Sequence, residues 1–375
     1  MIKKIIISGL LTILFSACSK ENIASTEKNN QKNYKVIAYV AGYKDNWGEN
    51  FEKAKQITHI NYAFANIKDG KVVLGNKNDA SDLKKLNTLK KVNPDLKILI
   101  SVGGWSWSKN FSDAVLTEGP RQVFANSAID FMLKHQIDGI DLDWEYPGQV
   151  GDNNVFREVD KENFTAILKL IRYKLDSIEP DDKYLLTIAT GANQSYLDHT
   201  NMKEAQKYLD FINIMTYDFF TGGSKYTGHH ANIKNSEFSK KHPKSAEIAV
   251  EQHLKAGIPA NKLVLGVPFY GRWWNKVLPK NNGLYQLSNG ITGAYGYSQI
   301  ADSLKSKTFT PYWDKSAGAS YIWREKDSLF LTYENERSLK IKSTFVKSNQ
   351  LGGIMFWQFN GDNGELLNAI DAHLK

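Results

Sequence analysis

Eight short apolar runs, each followed by a turn and a longer amphipathic stretch, set the strongest limit on how this chain can fold. The runs cover residues 34–40, 57–65, 96–102, 137–144, 184–189, 210–217, 262–269 and 352–359. Each is rich in Val, Ile, Leu and aromatics and is bounded by Gly, Asp or Asn, the marks of buried strands. Between them lie helical spacings, such as Asn163, Phe164, Ile167, Leu168, Ile171 and Leu175, which recur at steps of three and four. Alternating buried strands and helices imply a parallel sheet. Eight such units are the number that closes a (β/α)8 TIM barrel. A doubly wound open sheet is the competing arrangement, but no Gly-rich phosphate turn follows the first run. The predicted class is therefore α/β, a closed barrel over 34–375.

One interval breaks the rhythm. The seventh and eighth runs are separated by more than 80 residues, where a turn and a helix need about 30 for a whole unit. The surplus, 272–332, carries β-like alternation, many Gly and aromatics, and Tyr295-Gly296-Tyr297. It reads as a small α+β insertion after strand seven. Loops at that end of a barrel frame the active site, so the insertion should build a wall of the cleft. Charge narrows the partners. Lys and Arg number 48 against 40 Asp and Glu, a net +8. No basic block interleaves with aromatics as a nucleic-acid face requires, so no nucleic acid is expected.

The N-terminus reads as an export signal. Lys3 and Lys4 precede an apolar stretch of 11 residues, 5–15, far short of the roughly 20 that span a bilayer. Small residues Ser16-Ala17 follow, and then Cys18, the one cysteine of the chain, so no intramolecular disulfide can form. This arrangement resembles the lipobox of bacterial lipoproteins, in which the thiol is acylated and becomes the new N-terminus. It implies a signal peptide over 1–17, lipidation at Cys18, and a polar tether over 18–33. The protein would then be exported and held at the outer membrane or cell surface by lipid alone. A plain signal peptide beside a free cysteine is the alternative, and would give a secreted protein.

The fourth run holds the chemistry. It reads Asp138-Gly139-Ile140-Asp141-Leu142-Asp143-Trp144-Glu145-Tyr146-Pro147-Gly148. Side chains alternate along a strand, so Asp141, Asp143 and Glu145 point the same way, into the barrel and up toward its mouth. Like charges raise one another's pKa and burial raises them further. A chain shaped for stability alone avoids such a stack. A glycosidase needs it, because one carboxyl must stay protonated near neutral pH to protonate a leaving oxygen. Asp138 has the opposite parity and is expected to cap the strand or pair with a neighbour. A metal cage is the other use of clustered acids. The eight His are scattered and no second acid-rich motif completes one, so neither metal nor cofactor is expected.

These residues resemble the DxxDxDxE signature of glycoside hydrolase family 18, the chitinases and their relatives. Other family marks follow in order. Ser101-Val102-Gly103-Gly104-Trp105 resembles the SxGG motif of strand three, and Met215-Thr216-Tyr217-Asp218 the strand-six motif. Gly266-Val267-Pro268-Phe269-Tyr270-Gly271-Arg272 resembles strand seven, and Gly352-Gly353-Ile354-Met355-Phe356-Trp357 the last strand. Tyr333-Glu334 departs from relatives, which more often carry Asp. The resemblance implies retention of configuration with the sugar's own acetamide oxygen as nucleophile, an exception to the two-carboxylate rule. Glu145 would be the acid and then the base. Asp143 would orient the acetamide, Asp141 would hold Asp143 in the right protonation state, and Tyr217 would donate to the acetamide. Trp357 would form the floor under the distorted sugar. Gly103, Gly104, Trp105, Ser106, Tyr146 and Met215 would contact sugar, and Asp218 would bind sugar or support the acids. Arg272 either binds a sugar hydroxyl or anchors the insertion.

The implied substrate is chitin or N-acetylglucosamine oligosaccharides, cut by a monomer. Two alternatives stay open at the level of sequence. An endo-β-N-acetylglucosaminidase acting on N-glycan cores is one, though such relatives commonly lack the insertion. A chitinase-like lectin is the other, though such proteins usually lose the terminal acid of the signature, and Glu145 is intact.

Overall fold

The computed structural model describes residues 34–44, 51–178, 184–239 and 243–375. The signal, tether and Cys18 lie outside the described residues. The strands are β1 (Lys35–Ala41), β2 (His59–Lys68), β3 (Lys71–Leu74), β4 (Lys97–Gly103), β5 (Gly139–Asp143), β6 (Leu185–Gly191) and β7 (Phe211–Met215). They continue as β8 (Leu263–Pro268), β9 (Tyr270–Trp274), β10 (Thr292–Gly296), β11 (Pro311–Asp314), β12 (Ala319–Arg324), β13 (Leu329–Tyr333) and β14 (Gly353–Trp357). Eight of them pair in parallel in the order β1-β14-β8-β7-β6-β5-β4-β2, and β2 pairs back to β1. The sheet closes. This is the (β/α)8 barrel that the eight apolar runs predicted.

Alternation along each strand divides two cores. In β1, Val36, Ala38 and Val40 pack outward against the helices, while Ile37 and Tyr39 fill the barrel with Phe211, Val264 and Met355. In β5, Ile140 and Leu142 go outward and leave Asp141 and Asp143 inside. Trp144, next in the same outward rhythm, stacks on Phe111 at 5.0 Å between ring centroids. The helix Asp160–Ile178 buries Asn163, Phe164, Ile167, Leu168, Ile171 and Leu175, the face its sequence spacing marks out. Asp138 points away from the barrel interior. It pairs with Lys90 at 2.6 Å and accepts from the Ile98 amide at 2.8 Å.

Three details depart from expectation. β3 is an antiparallel strand appended to β2 through Asp69-Gly70, both at positive φ, the backbone a tight hairpin turn requires. β5 ends at Asp143 and β7 at Met215, so Glu145 and Tyr217 stand in the exit loops rather than within the strands. The insertion begins at Tyr270 and ends at Tyr333, slightly wider than 272–332. It forms a five-stranded antiparallel sheet, ordered β10-β9-β13-β12-β11, with the helix Tyr297–Lys305. The chain passes from barrel strand to insertion strand across one residue, Phe269, so no polar break marks the boundary. Among the described residues no helix is long and apolar enough to cross a membrane.

Candidate active site

Side chains at the C-terminal ends of the barrel strands and from β9 and β10 enclose a cleft of about 1250 Å³. Among the described residues, Asp143, Glu145 and Asp218 are the carboxylates that line it. Asp141 lies beneath them, fully buried. It accepts from three hydroxyls: Tyr39 at 2.8 Å, Ser101 at 2.8 Å and Thr187 at 2.6 Å. Burial pushes its pKa up, and the hydroxyls from β1, β4 and β6 work against that rise.

Asp143 is treated differently. Its Oδ1 is buried with no hydrogen-bond partner among the described residues. Burial, then the charges of Glu145 and Asp141, hold its carboxyl well above the usual range. Glu145 is pushed up to about 7, chiefly by burial; the Tyr146 hydrogen bond opposes the rise and the charge of Asp218 adds to it. A carboxyl poised there is protonated for much of the time near neutrality and can both give and take a proton.

Asp218 sits at φ 58°, just past β7. It accepts from Tyr270 at 2.8 Å and from Arg272 Nε and Nη2 at 2.8 and 2.5 Å, with His230 Nδ1 at 3.5 Å. Burial works to raise its pKa, but the His230 and Arg272 contacts outweigh it and hold the group ionised. Arg272 therefore fastens the first strand of the insertion to the barrel while it lines the cleft.

Aromatic surfaces surround the acids. Trp357, at the end of β14, packs 5.8 Å from Tyr39 and stacks on Phe64 at 5.5 Å. Tyr217 reaches into the barrel interior, its hydroxyl 3.9 Å from the Met355 sulfur. Burial and the charge of Asp143 raise its pKa far enough to keep it a neutral donor. Trp105 is 53 % exposed at the rim and meets Tyr146 edge-on at 6.5 Å. Gly103, Ser106 and Met215 also line the cleft. Gly104 does not. It is buried at φ 76°, and a Cβ there would come within 2.5 Å of the Phe64 ring. The missing side chain of Gly104 thus makes room for Phe64 beside the cleft. Among the described residues no group of three or more His, Cys, Asp or Glu could hold a metal.

Several participants carry no mark in the fourth run itself. Tyr39 and Thr187 sit on other strands, and only the inward parity of β1 and β6 could have pointed to them. Ser101 opens a motif that the sequence does show. The peptide bonds Ala63–Phe64, Glu145–Tyr146 and Trp357–Gln358 are cis, and nothing local in the sequence announces them.

Stacked acids at the C-terminal mouth of a closed barrel, under an aromatic-walled cleft, are the site type of the barrel glycosidases. The profile of Glycosyl hydrolases family 18 matches residues 35–362, and the chain belongs to that family. It is 36 % identical to Chitinase A1 of Niallia circulans over 91 % of its own length and 58 % of that protein's. It is 33 % identical to Chitinase 1 of Aphanocladium album, over 85 % of this chain and 80 % of that one. Among solved structures, a family 18 N-acetylglucosaminidase from Paenibacillus barengoltzii aligns with TM-score 0.84 and 38 % identity, over 91 % of this chain and all of that one.

Proposed function

We propose that the protein is a retaining glycosidase that cuts β-1,4-linked N-acetylglucosamine polymers, chitin and its oligosaccharides, using the substrate's own acetamide as nucleophile. One observation carries this reading. Of the three carboxylates lining the cleft, Asp218 is tied to Arg272 and Tyr270, and Asp143 is held toward its protonated form. Glu145 is the acid. Among the described residues no lining carboxylate is both ionised and unengaged, which favours the sugar's own acetamide oxygen as the attacking group. Relatives named as chitinases over most of the chain support the substrate class.

In the first step the acetamide oxygen bonds to the anomeric carbon as the glycosidic C–O bond breaks. The proton of Glu145 passes to the leaving oxygen. Asp143 takes the hydrogen bond of the acetamide N–H as positive charge develops there, and Tyr217 donates to the acetamide oxygen. In the second step water attacks the same carbon, Glu145 takes its proton, and the cyclic intermediate opens with configuration retained. A positioned intramolecular oxygen has a large effective concentration, enough to supply several kcal/mol of the barrier. Trp357 offers the apolar floor, and Trp105 and Tyr146 extend the binding face.

The test offers chitin oligomers and a high-mannose glycopeptide in parallel and identifies products by mass spectrometry. Cleavage of the oligomers alone is expected; cleavage of the glycopeptide core alone would move the protein to the N-glycan branch. We infer further that the enzyme is exported and anchored through an acylated Cys18, from the basic, apolar and small-residue order before it. Replacing Cys18 with Ala should then release the enzyme from the membrane fraction. Soluble, unacylated wild type would instead mean secretion.

A further inference from the structure

We propose that Ser108 is the positioning residue that fixes where Glu145 stands over the scissile bond, an inference that rests on the glycosidase reading above. β5 ends at Asp143, so the acid lies two residues beyond the last strand partner, on an exit turn that the barrel ladder does not hold. Ser108, fully buried in the turn after β4, supplies the missing hold. Its Oγ accepts the Glu145 main-chain N–H at 2.9 Å. The same hydroxyl faces the Gly104 carbonyl at 2.9 Å and the Asp143 carbonyl at 3.1 Å, to one of which it donates. The Gly104 amide donates to the Asp143 carbonyl at 2.8 Å. One side chain thus joins the loop that carries Trp105 to both ends of the Asp143–Glu145 turn.

Gly103 makes that approach possible. It sits at φ 104°, and a Cβ there would stand 2.5 Å from the Asp143 carbonyl and 3.2 Å from Ser108 Oγ. The three polar partners of Ser108 lie at the end of β5 and in the exit loops of β4 and β5, and none belongs to the surrounding helices. Removing the hydroxyl leaves the Glu145 N–H buried without an acceptor. The turn must shift to satisfy it, and the carboxyl moves with the turn. A general acid works only within hydrogen-bond reach of its target, and a displacement near 1 Å can cost about a hundredfold.

The experiment measures kcat and KM for wild type, Ser108→Ala, Glu145→Gln and the double variant on two substrates. One is an N-acetylglucosamine oligomer, whose leaving group needs a full proton. The other is a dinitrophenyl chitobioside, whose leaving group departs without one. Ser108→Ala should lower kcat on the oligomer by about tenfold to a hundredfold with KM changed by less than about twofold, while the dinitrophenyl substrate loses less than about threefold. In the Glu145→Gln background it should add no further loss. Equal losses on both substrates, or an undiminished loss in that background, would make Ser108 merely structural and overturn the proposal. Should Ser108→Ala not fold by circular dichroism, Ser108→Cys, similar in size with a weak acceptor, is read by the same ratio. Wild type inert on both substrates would sink the glycosidase reading itself.

Discussion

The acids above β5 and the acids in the seam between insertion and barrel are buried alike, yet they are surrounded in opposite ways. Asp143 and Glu145 are 4 % and 8 % exposed; Asp314 and Glu334 are 5 % and 3 %. In the seam each has a base. His229 Nε2 stands 3.1 Å from Asp314, which also accepts from Ser236 and Ser316. Lys342, fully buried, pairs with Glu334 and donates to the Ala231 carbonyl. In the cleft no cation touches Asp143 or Glu145 among the described residues. The seam shows that this chain can neutralise a buried carboxylate. Where it does not, the cost is retained for proton transfer.

The largest effect expected from this contrast falls on stability. Lys342→Met leaves Glu334 buried without its partner, and breaking such a pair costs about 3–5 kcal/mol. Replacing Glu334 by Leu in the same chain should recover most of it. Denaturant titration of the two variants decides. A loss under about 1 kcal/mol in the single variant would erase the distinction between seam and cleft.

Next comes turnover. Glu145→Gln keeps the size of the side chain and removes its proton, so kcat should fall at least about a hundredfold with sugar binding largely kept. Near-normal turnover would move the acid elsewhere.

The subtlest test uses pH, because the two regions carry opposite signs. Glu145 has a folded pKa raised from 4.5 to about 7. Its contribution to stability is present below about 4.5 and is lost as pH rises through about 7. Burial would raise Asp314 too, but His229, Ser236 and Ser316 outweigh it and depress the group below its ordinary 3.8. Its contribution is present above that value and is lost as pH falls. Melting curves should therefore diverge. Glu145→Gln should gain on wild type as pH rises from about 4.5 to 8, and the deficit of Asp314→Asn should shrink below about pH 4. Variants that track wild type at a constant offset would contradict both signs.

What was legible in the sequence follows the same division. Barrel strands announced themselves because burial on both faces makes each an unbroken apolar run, and their ends fell within a residue or two except in β2, which runs on to Lys68. The acids of β5 announced themselves because three carboxylates of one parity are costly. What supports them did not. Tyr39, Ser101 and Thr187 reach Asp141 from three other strands, contacts that exist only once the sheet closes. Ser108 serves a backbone amide, and a backbone amide has no letter in the sequence. Gly104 is a related case: its motif lies beside the cleft, and its missing side chain makes room for Phe64, a partner the motif does not name. The Asp69-Gly70 pair before β3 is a hairpin signal that lies outside the pattern of eight apolar runs.

Among the described residues the cleft has no free carboxylate, and the sugar is therefore proposed to supply its own nucleophile. Partly acetylated chitosan tests it directly. The enzyme is allowed to digest the mixed polymer, and the sugars at the new reducing ends are sequenced with their anomeric configuration. If the acetamide oxygen attacks, every new reducing end carries an acetyl group, even where its neighbours do not, and the configuration is retained. Regular cleavage after deacetylated sugars, with retention, would require a carboxylate of the protein as nucleophile and would contradict the roles given to Asp143, Glu145 and Asp218.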